Sequence, residues 1–464
     1  MQRKPVRSLW VGLAGGMAAI VLLAVEPPRA QSQNASELAA LAARAGTLER
    51  EVGLLEDQDA VKKLQRVYGF YTDKQLWSQA ADLFAANGTI EIGGRGVYVG
   101  RERVLAFLRT NGPELPQPSR LFDQMQLQPV IHVASDGRTA KARWHMFAQE
   151  AQYNAYARWG LGVFENDYVK DNGIWKIQHL HLFTTMYTPY EDGWAKTAIP
   201  NPGPLAELPP DRPPSVAYEA FPAAFDVPFH YENPVTGKPA PQSDAIGTTR
   251  EESQSAVEAR LKELDRRVGL LDDVRQLERM NSIYGYYLAH LQWDDLTGIF
   301  SPTGTIEIAM RGIYAGSKSV RRNLNLYGQA TDSQFGLQHN HMQFQPVIDV
   351  APDGQSAKMR SRALSIMGQY ERYAQWMGGV YENDYVKEDG VWKIKRDQVF
   401  NTYFVPYAVG WKSVQPRPPP GISKDNPPDL PPSHAFEMYP SAFLPPFHFA
   451  NPVTGNTVSW PSAQ

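Results

Sequence analysis

The chain has 464 residues, 42% of them hydrophobic and 20% charged, with a formal net charge of −3. That length exceeds what one hydrophobic core usually serves, so two domains are expected, and the composition is that of a folded chain. The charge offers no basic footprint for nucleic acid, and the absence of cysteine excludes disulfides, thiolate nucleophiles and cysteine metal sites.

The chain opens with Arg3, Lys4 and Arg7 ahead of an apolar run, Leu9–Val25, and then "PPRA". This reads as a signal peptide over 1–30, cleaved after Ala30, so the mature protein is expected in the periplasm or secreted. Pro28 is a poor residue three places before that cut, and an uncleaved membrane anchor is the alternative. No later apolar run reaches spanning length, so no other membrane contact is expected.

From Leu48 to Phe84 the Leu/Val spacing is helical and predicts two or three helices, interrupted near Gly69 and Asp73. "TIEI" starts a short strand, and 101–108 reads as another helix. Segments 126–133, 139–153 and 160–170 alternate as strands, and "KDNG" makes a hairpin turn into 174–185. Helices followed by an antiparallel meander give an α+β class. The expected shape is a cone-like α+β barrel whose apolar mouth suits one small ligand.

The whole order then recurs. "LEREVGLLEDQDAVKKLQRVYGFY" (48–71) matches "LDRRVGLLDDVRQLERMNSIYGYY" (264–287), and "FENDYVKDNGIWKI" (164–177) matches "YENDYVKEDGVWKI" (381–394). The expected layout is domain 1 over 45–195, a Pro/aromatic strap over 196–239 and a polar linker over 240–256. Domain 2 follows over 261–412, with a second strap over 413–464. The straps are stiff segments suited to lidding a pocket or clasping the sister domain. The "ENDYVK" motif, kept in both copies, is expected to close the sheet and set its register.

With "W..AADLFAANGTIEI", "Y.G...V..FL" and "QPVI.V..DG..AK", each copy resembles the SnoaL-like branch of the nuclear transport factor 2-like superfamily. That superfamily includes scytalone dehydratase, ketosteroid isomerase and polyketide cyclases, and also members with no chemistry. The resemblance implies cofactor-free proton transfer in an apolar pocket; the lack of cysteine and of a third ligand beside His179 and His181 argues for a metal-free site. It also implies sheet-to-sheet pairing, so the duplication would be an intramolecular pseudo-dimer, with homo-oligomers as a further association. Scytalone-dehydratase-like members use an Asp four residues before a Trp, supporting a His that opens a strand. Asp73, four residues before Trp77, matches the first position and His341 the second. The two fall in different repeats: Asp73 corresponds to Ala289, and His341 to Gln124.

Other side chains could rebuild a site. By strict alternation His179 and His181 share a face with Trp175 and Ile177; they are acid–base candidates near Asp73, or partly exposed sheet residues. An i, i+2 His pair also suits a metal, but no third ligand is evident. His145, opposite Arg362 in the other copy, is a candidate oxyanion donor. Tyr68 and Tyr284 are candidates for lining the pockets, Tyr71 and Tyr287 for acid–base work, with core packing the alternative for all four. Trp159 and Trp376 could stack on an aromatic ligand or simply pack. In repeat two, Tyr284, Tyr287, His341 and Arg396 form a set without a carboxylate.

The expected function is an exported, cofactor-independent lyase (dehydratase or retro-aldol type) or isomerase. Its partner would be a hydrophobic, aromatic small molecule such as a plant- or lignin-derived phenolic. The alternatives are a non-catalytic binding protein and a structural tandem domain. The copies are expected to differ, with repeat one the active cone.

Overall fold

The computed structural model describes residues 28–231, 234, 254–328 and 335–458. The apolar N-terminal segment and most of the polar linker lie outside the described residues. Among the described residues no helix is long and apolar enough to cross a membrane.

Repeat one runs α1 (Pro28–Asp73), α2 (Trp77–Ala81), β1 (Phe84–Ile92), β2 (Val97–Val99), α3 (Arg101–Arg109), β3 (Arg120–Val133), β4 (Thr139–Gln152), β5 (Tyr156–Asp171) and β6 (Ile174–Pro189). Repeat two repeats the order as α4 (Gln254–Ala289), α5 (Trp293–Gly298), β7 (Phe300–Ile308), β8 (Tyr314–Ala315), α6 (Ser317–Leu324), β9 (Leu337–Val350), β10 (Ser356–Gln369), β11 (Tyr373–Glu388) and β12 (Val391–Pro406). A short α7 (Gly410–Ser413) follows. The sheets have the orders β2-β1-β6-β5-β4-β3 and β8-β7-β12-β11-β10-β9, so the α+β class holds twice. Both sheets are open and neither closes into a barrel, which corrects that part of the expectation.

The helices also differ from the reading of the sequence. Gly69 does not break α1, which continues to Asp73. A Cβ at Gly69 would lie 2.7 Å from Gln126 and from Gln345, and one at Gly285 would lie 2.9 Å from the His341 carbonyl. Each helical glycine therefore marks where a helix presses onto a strand. The long helix of each repeat is pinned to its hairpin in the same way. Trp175 Nε1 donates to Asp57 at 2.8 Å, and Trp392 Nε1 donates to Asp273 at 2.8 Å.

One irregularity decides what each cone contains. Along β5 and β6 the register passes from Tyr168↔Ile177 to Asp167↔His179, leaving Gln178 as an extra residue. Along β11 and β12 it passes from Tyr385↔Ile394 to Asp384↔Arg396, leaving Lys395 extra. A bulge of one residue reverses the in/out alternation beyond it. The motif asparagine spans the gap: Asn166 Oδ1 accepts from the His181 N–H and Asn383 Oδ1 from the Gln398 N–H, each at 3.0 Å.

The repeats meet about a pseudo-twofold. Trp159 and Trp376, equivalent residues, touch with ring centroids 5.5 Å apart, and the Tyr190 hydroxyl donates to the Tyr407 carbonyl at 2.7 Å. Self-contact of equivalent residues is the mark of an isologous interface. Tyr403, Trp411 and Tyr439 complete this aromatic cluster. Ahead of the cones, Ala45, Val52, Leu264 and Leu271 pack between α1 and α4, flanked by Glu49–Arg260 and Glu56–Arg267 ion pairs. Apolar residues seven apart, with flanking charge pairs, make a short parallel coiled coil.

The C-terminal strap crosses over. After the Tyr439–Trp411 hydrogen bond, Leu444, Phe447 and Phe449 pack with the core of repeat one, and Asn451 donates to Gln79. The interface also buries an asymmetric ion cluster, in which Arg362 of β10 pairs with both Asp73 and Asp123. A half-broken buried pair leaves an uncompensated charge, typically costing about 3–5 kcal/mol. Arg362→Met should therefore lower stability by about that much in denaturant unfolding. Adding Asp73→Asn and Asp123→Asn should restore most of it, whereas full stability of the single variant would show that the cluster is not holding the repeats together.

Candidate functional site

Cone 2 encloses a cavity of about 410 Å³. Leu288, Ile308, Met367, Met377, Val399 and Phe404 supply its apolar wall, while His339, His341, Tyr381 and Asn401 supply polar atoms. His341 Nε2 lies 3.0 Å from the Tyr381 hydroxyl, and its Nδ1 lies 2.5 Å from the Ser365 hydroxyl. Burial, with His339 alongside, pushes the His341 imidazole down to about 3, so the ring is neutral. A neutral imidazole has one N–H and one lone pair, so one hydroxyl donates to it and the other accepts.

Behind Tyr381 lies a carboxyl that the expected set lacked. The fully buried Asp397 accepts from the Tyr284 hydroxyl at 2.8 Å, and Tyr284 also bonds Tyr381. Burial pushes the Asp397 carboxyl up to about 7, against hydrogen bonds from Tyr284 and Asn383. Its Oδ1 has no hydrogen-bond partner among the described residues. Burial also holds both tyrosines well above the usual phenol range, so they act as neutral donors. The result is a hydrogen-bonded chain, Asp397–Tyr284–Tyr381–His341–Ser365, that ends on the cavity. A carboxyl that titrates near neutrality beside phenolic donors is suited to general acid–base chemistry.

Cone 1 is built on the equivalent strands with the chain removed. Its cavity is about 160 Å³. At an offset of 217, Asp397 (397 − 180) becomes Leu180, Tyr381 becomes Phe164, Ser365 becomes Ala148, His341 becomes Gln124 and His339 becomes Phe122. Tyr68, the partner of Tyr284, still lines the cavity. Glu150, its carboxylate, is tied up: Arg158 pairs with it at 2.5 Å and Tyr187 donates to it at 2.9 Å.

The remaining sequence candidates are distributed elsewhere. His179 and His181 lie on the outer face, because the bulge at Gln178 turns Leu180 inward in their stead. His179 Nδ1 sits 2.8 Å from Thr89 Oγ1, and His181 Nε2 sits 3.6 Å from Glu91. Arg396 is outward for the same reason and donates to Asp384 at 2.8 Å. His145 is exposed. Asp73 is buried between the repeats, taking the Gln124 N–H at 2.7 Å as well as Arg362, and does not support a histidine. Tyr71 packs on Phe447 and Phe449 of the strap, and Tyr287 packs against the core of repeat two outside the cavity lining. Trp159 and Trp376 belong to the interdomain cluster rather than to a ligand platform. Of the expected residues, then, the structure brings together only His341 and Tyr284, in the second cone and not the first. Asp397, Tyr381 and Ser365 were missed, although each replaces an apolar residue of the sister copy on a buried strand. Among the described residues no cluster of His, Asp and Glu is arranged to hold a metal.

A SnoaL-like domain model matches residues 54–181 and again 270–397. The chain belongs to the SnoaL-like domain family. No curated protein matches it. Similar solved structures include a putative scytalone dehydratase from Novosphingobium aromaticivorans DSM 12444, 25% identical, over 34% of this chain and 97% of that one (TM-score 0.27). Another is hexachlorocyclohexane dehydrochlorinase LinA-type3 from Novosphingobium barchaimii LL02, 18% identical, over 30% and 92% (TM-score 0.25). A third is ActVI-ORFA from Streptomyces coelicolor, 13% identical, over 28% and 96% (TM-score 0.25). The two SnoaL-like domains of this chain thus share a fold and differ in what their cones contain.

The buried Asp397 has a consequence for stability. With a folded-state value near 7 against about 3.9 for a free Asp, the unfolded chain ionises first, so this group lowers stability as pH climbs from about 4 to about 7. Asp397→Asn should match the native melting temperature near pH 4, exceed it by a few degrees at pH 8, and hold that margin above. Calorimetric scans across this range check it; a margin independent of pH would place the Asp397 titration elsewhere.

Proposed function

We propose that the second SnoaL-like domain is a cofactor-independent lyase or isomerase for a hydrophobic small molecule, and that the first is a non-catalytic compartment. The observation that carries this reading is the hydrogen-bonded chain from Asp397 to His341, which ends on an apolar cavity large enough for a one- or two-ring molecule. Tyr381 and His341 face the cavity and are the catalytic pair. Asp397 and Tyr284 lie behind them as a proton store.

The chemistry follows from that layout. A C–H acidified by a neighbouring carbonyl or phenol loses its proton through Tyr381 and Tyr284 to ionised Asp397. The electron pair left on carbon forms a double bond as the β-oxygen departs. The same chain returns the proton to that oxygen, so water leaves and the enzyme resets. Return of the proton to a different carbon would make the reaction an isomerisation. His341, held neutral and bonded at both ring nitrogens, fixes the Tyr381 hydroxyl where it meets the reacting carbon. The aromatic and methionine wall favours an aromatic substrate, such as a plant-derived phenolic, and the N-terminal apolar segment supports export.

The binding-protein reading keeps a place in cone 1, where the only carboxylate among the described wall residues is neutralised by Arg158. A mass-spectrometric screen against aromatic β-hydroxy ketones and aryl alcohols should find loss of water from at least one of them. Asp397→Asn and Tyr381→Phe should each lower turnover by at least ~100-fold, while His179→Gln and Tyr71→Phe should change it little. Activity should rise with pH through about 7, and this limb should vanish in Asp397→Asn. Loss of turnover in Glu150→Gln but not in Asp397→Asn would move the chemistry to cone 1.

A further inference from the structure

Two arginines also line the cavity of cone 2, and among the described residues no carboxylate does. Arg311 follows β7, and Arg417 stands at the start of the C-terminal strap beside Pro418 and Pro420. Neither makes a salt bridge among the described residues. Instead, each guanidinium is seated on an aromatic ring: Arg311 lies 4.9 Å from the Tyr327 ring centroid, and Arg417 lies 5.0 Å from that of Phe404. Stacking fixes such a group in place and leaves its N–H edge free for another partner. Arg311 Nε and the Tyr327 hydroxyl are both buried without a hydrogen-bond partner among the described residues. Orphaned donors in a cavity wall are costly unless a ligand satisfies them.

The sister cone gives an internal control. Arg95 stands where repeat two has Arg311 (311 − 95 = 216), so this cation is common to both. The second cation of cone 1, Arg158, is cancelled by Glu150 at 2.5 Å. Tyr327 becomes Asn111. Cone 2 therefore presents two uncancelled positive groups and an unpaired phenol, and cone 1 presents no such set.

We propose that the ligand of cone 2 is an aromatic carboxylic acid, its carboxylate held by Arg311, Arg417 and Tyr327 and its ring lodged against Met367, Met377 and Phe404. This rests on the reading of cone 2 as the functional cavity and adds the charge of what enters it. A carboxylate would satisfy the orphaned donors and fix which end of the molecule lies near the tyrosine–histidine pair. Guanidinium groups bind carboxylates through paired, charge-assisted hydrogen bonds, which an ester or alcohol cannot reproduce.

Calorimetric titration of the full chain with trans-cinnamate, methyl cinnamate and cinnamyl alcohol tests this directly. Cinnamate should bind at least about tenfold more tightly than either neutral analogue, a difference that ionic hydrogen bonds readily supply. The preference should shrink with added salt and disappear in Arg311→Met/Arg417→Met, with the neutral analogues still bound. Met377→Trp, which fills the cavity, should remove cinnamate binding altogether. Equal binding of acid and ester, no binding of cinnamate, or binding that survives Met377→Trp would each overturn the proposal. Binding is read without turnover, so carboxylate preference in a catalytically silent protein would sink the lyase reading alone. Turnover of neutral substrates with no carboxylate preference would sink this inference alone.

Discussion

One extra residue in the last strand of each sheet governs the chemistry of this chain. Lys395 in β12, like Gln178 in β6, is left unpaired, and the motif asparagine closes the resulting gap with its side-chain carbonyl. Before the bulge Ile394 points into the cone; after it Asp397 does, with Arg396 and Gln398 outside. Without this slip the buried carboxyl would face the outer surface and a guanidinium would face the cavity. The strand's two faces would exchange roles beyond that point. The conservation of the bulge between the copies is thus separate from what it displays, which is Leu180 in one cone and Asp397 in the other.

The duplication separates structure from chemistry in a legible way. Positions that hold the walls agree: the Trp–Asp link from hairpin to helix, the motif asparagine, and the Trp159–Trp376 contact across the pseudo-twofold. At five positions that project into the cavities the copies differ in one direction, whereas Arg95 and Arg311 agree and cone 1 has Glu150 where cone 2 has Met367. Five apolar or amide groups of cone 1 stand where cone 2 has a carboxyl, a phenol, a hydroxyl and two imidazoles. A buried polar group is tolerated only with partners, so such residues come as a connected set or not at all. Removing the set whole leaves no unpaired member behind, which is how a second copy can persist as a support.

That support is physical. The coiled coil of α1 and α4, the aromatic cluster and the Arg362 ion cluster bind the repeats along different parts of one interface. The C-terminal strap adds Phe447 and Phe449 against Tyr71 of the sister domain. The start of the same strap places Arg417 and two prolines at the rim of cone 2. The strap that ties the repeats together therefore also borders the proposed ligand site.

The sequence by itself determined the duplication, the α+β class, the family and most strand positions, because these follow from repeated motifs and from hydrophobic periodicity. It also marked His341 and Tyr284. The strands proved longer, the first helix unbroken at Gly69 and the sheet open, since periodicity does not report closure or the reason for a helical glycine. What it could not fix was the face on which each β6 and β12 residue lies. Strict alternation sent His179, His181 and Arg396 inward, whereas one unpaired residue sends them out and brings in Leu180 and Asp397. Asp73 likewise matched a motif by spacing, yet its partner proved to be an arginine 289 residues on (362 − 73), supplied by the other repeat. Local pattern fixes which elements form. Register across a bulge and contacts between repeats are set by long-range pairing, and only the tertiary structure decides them.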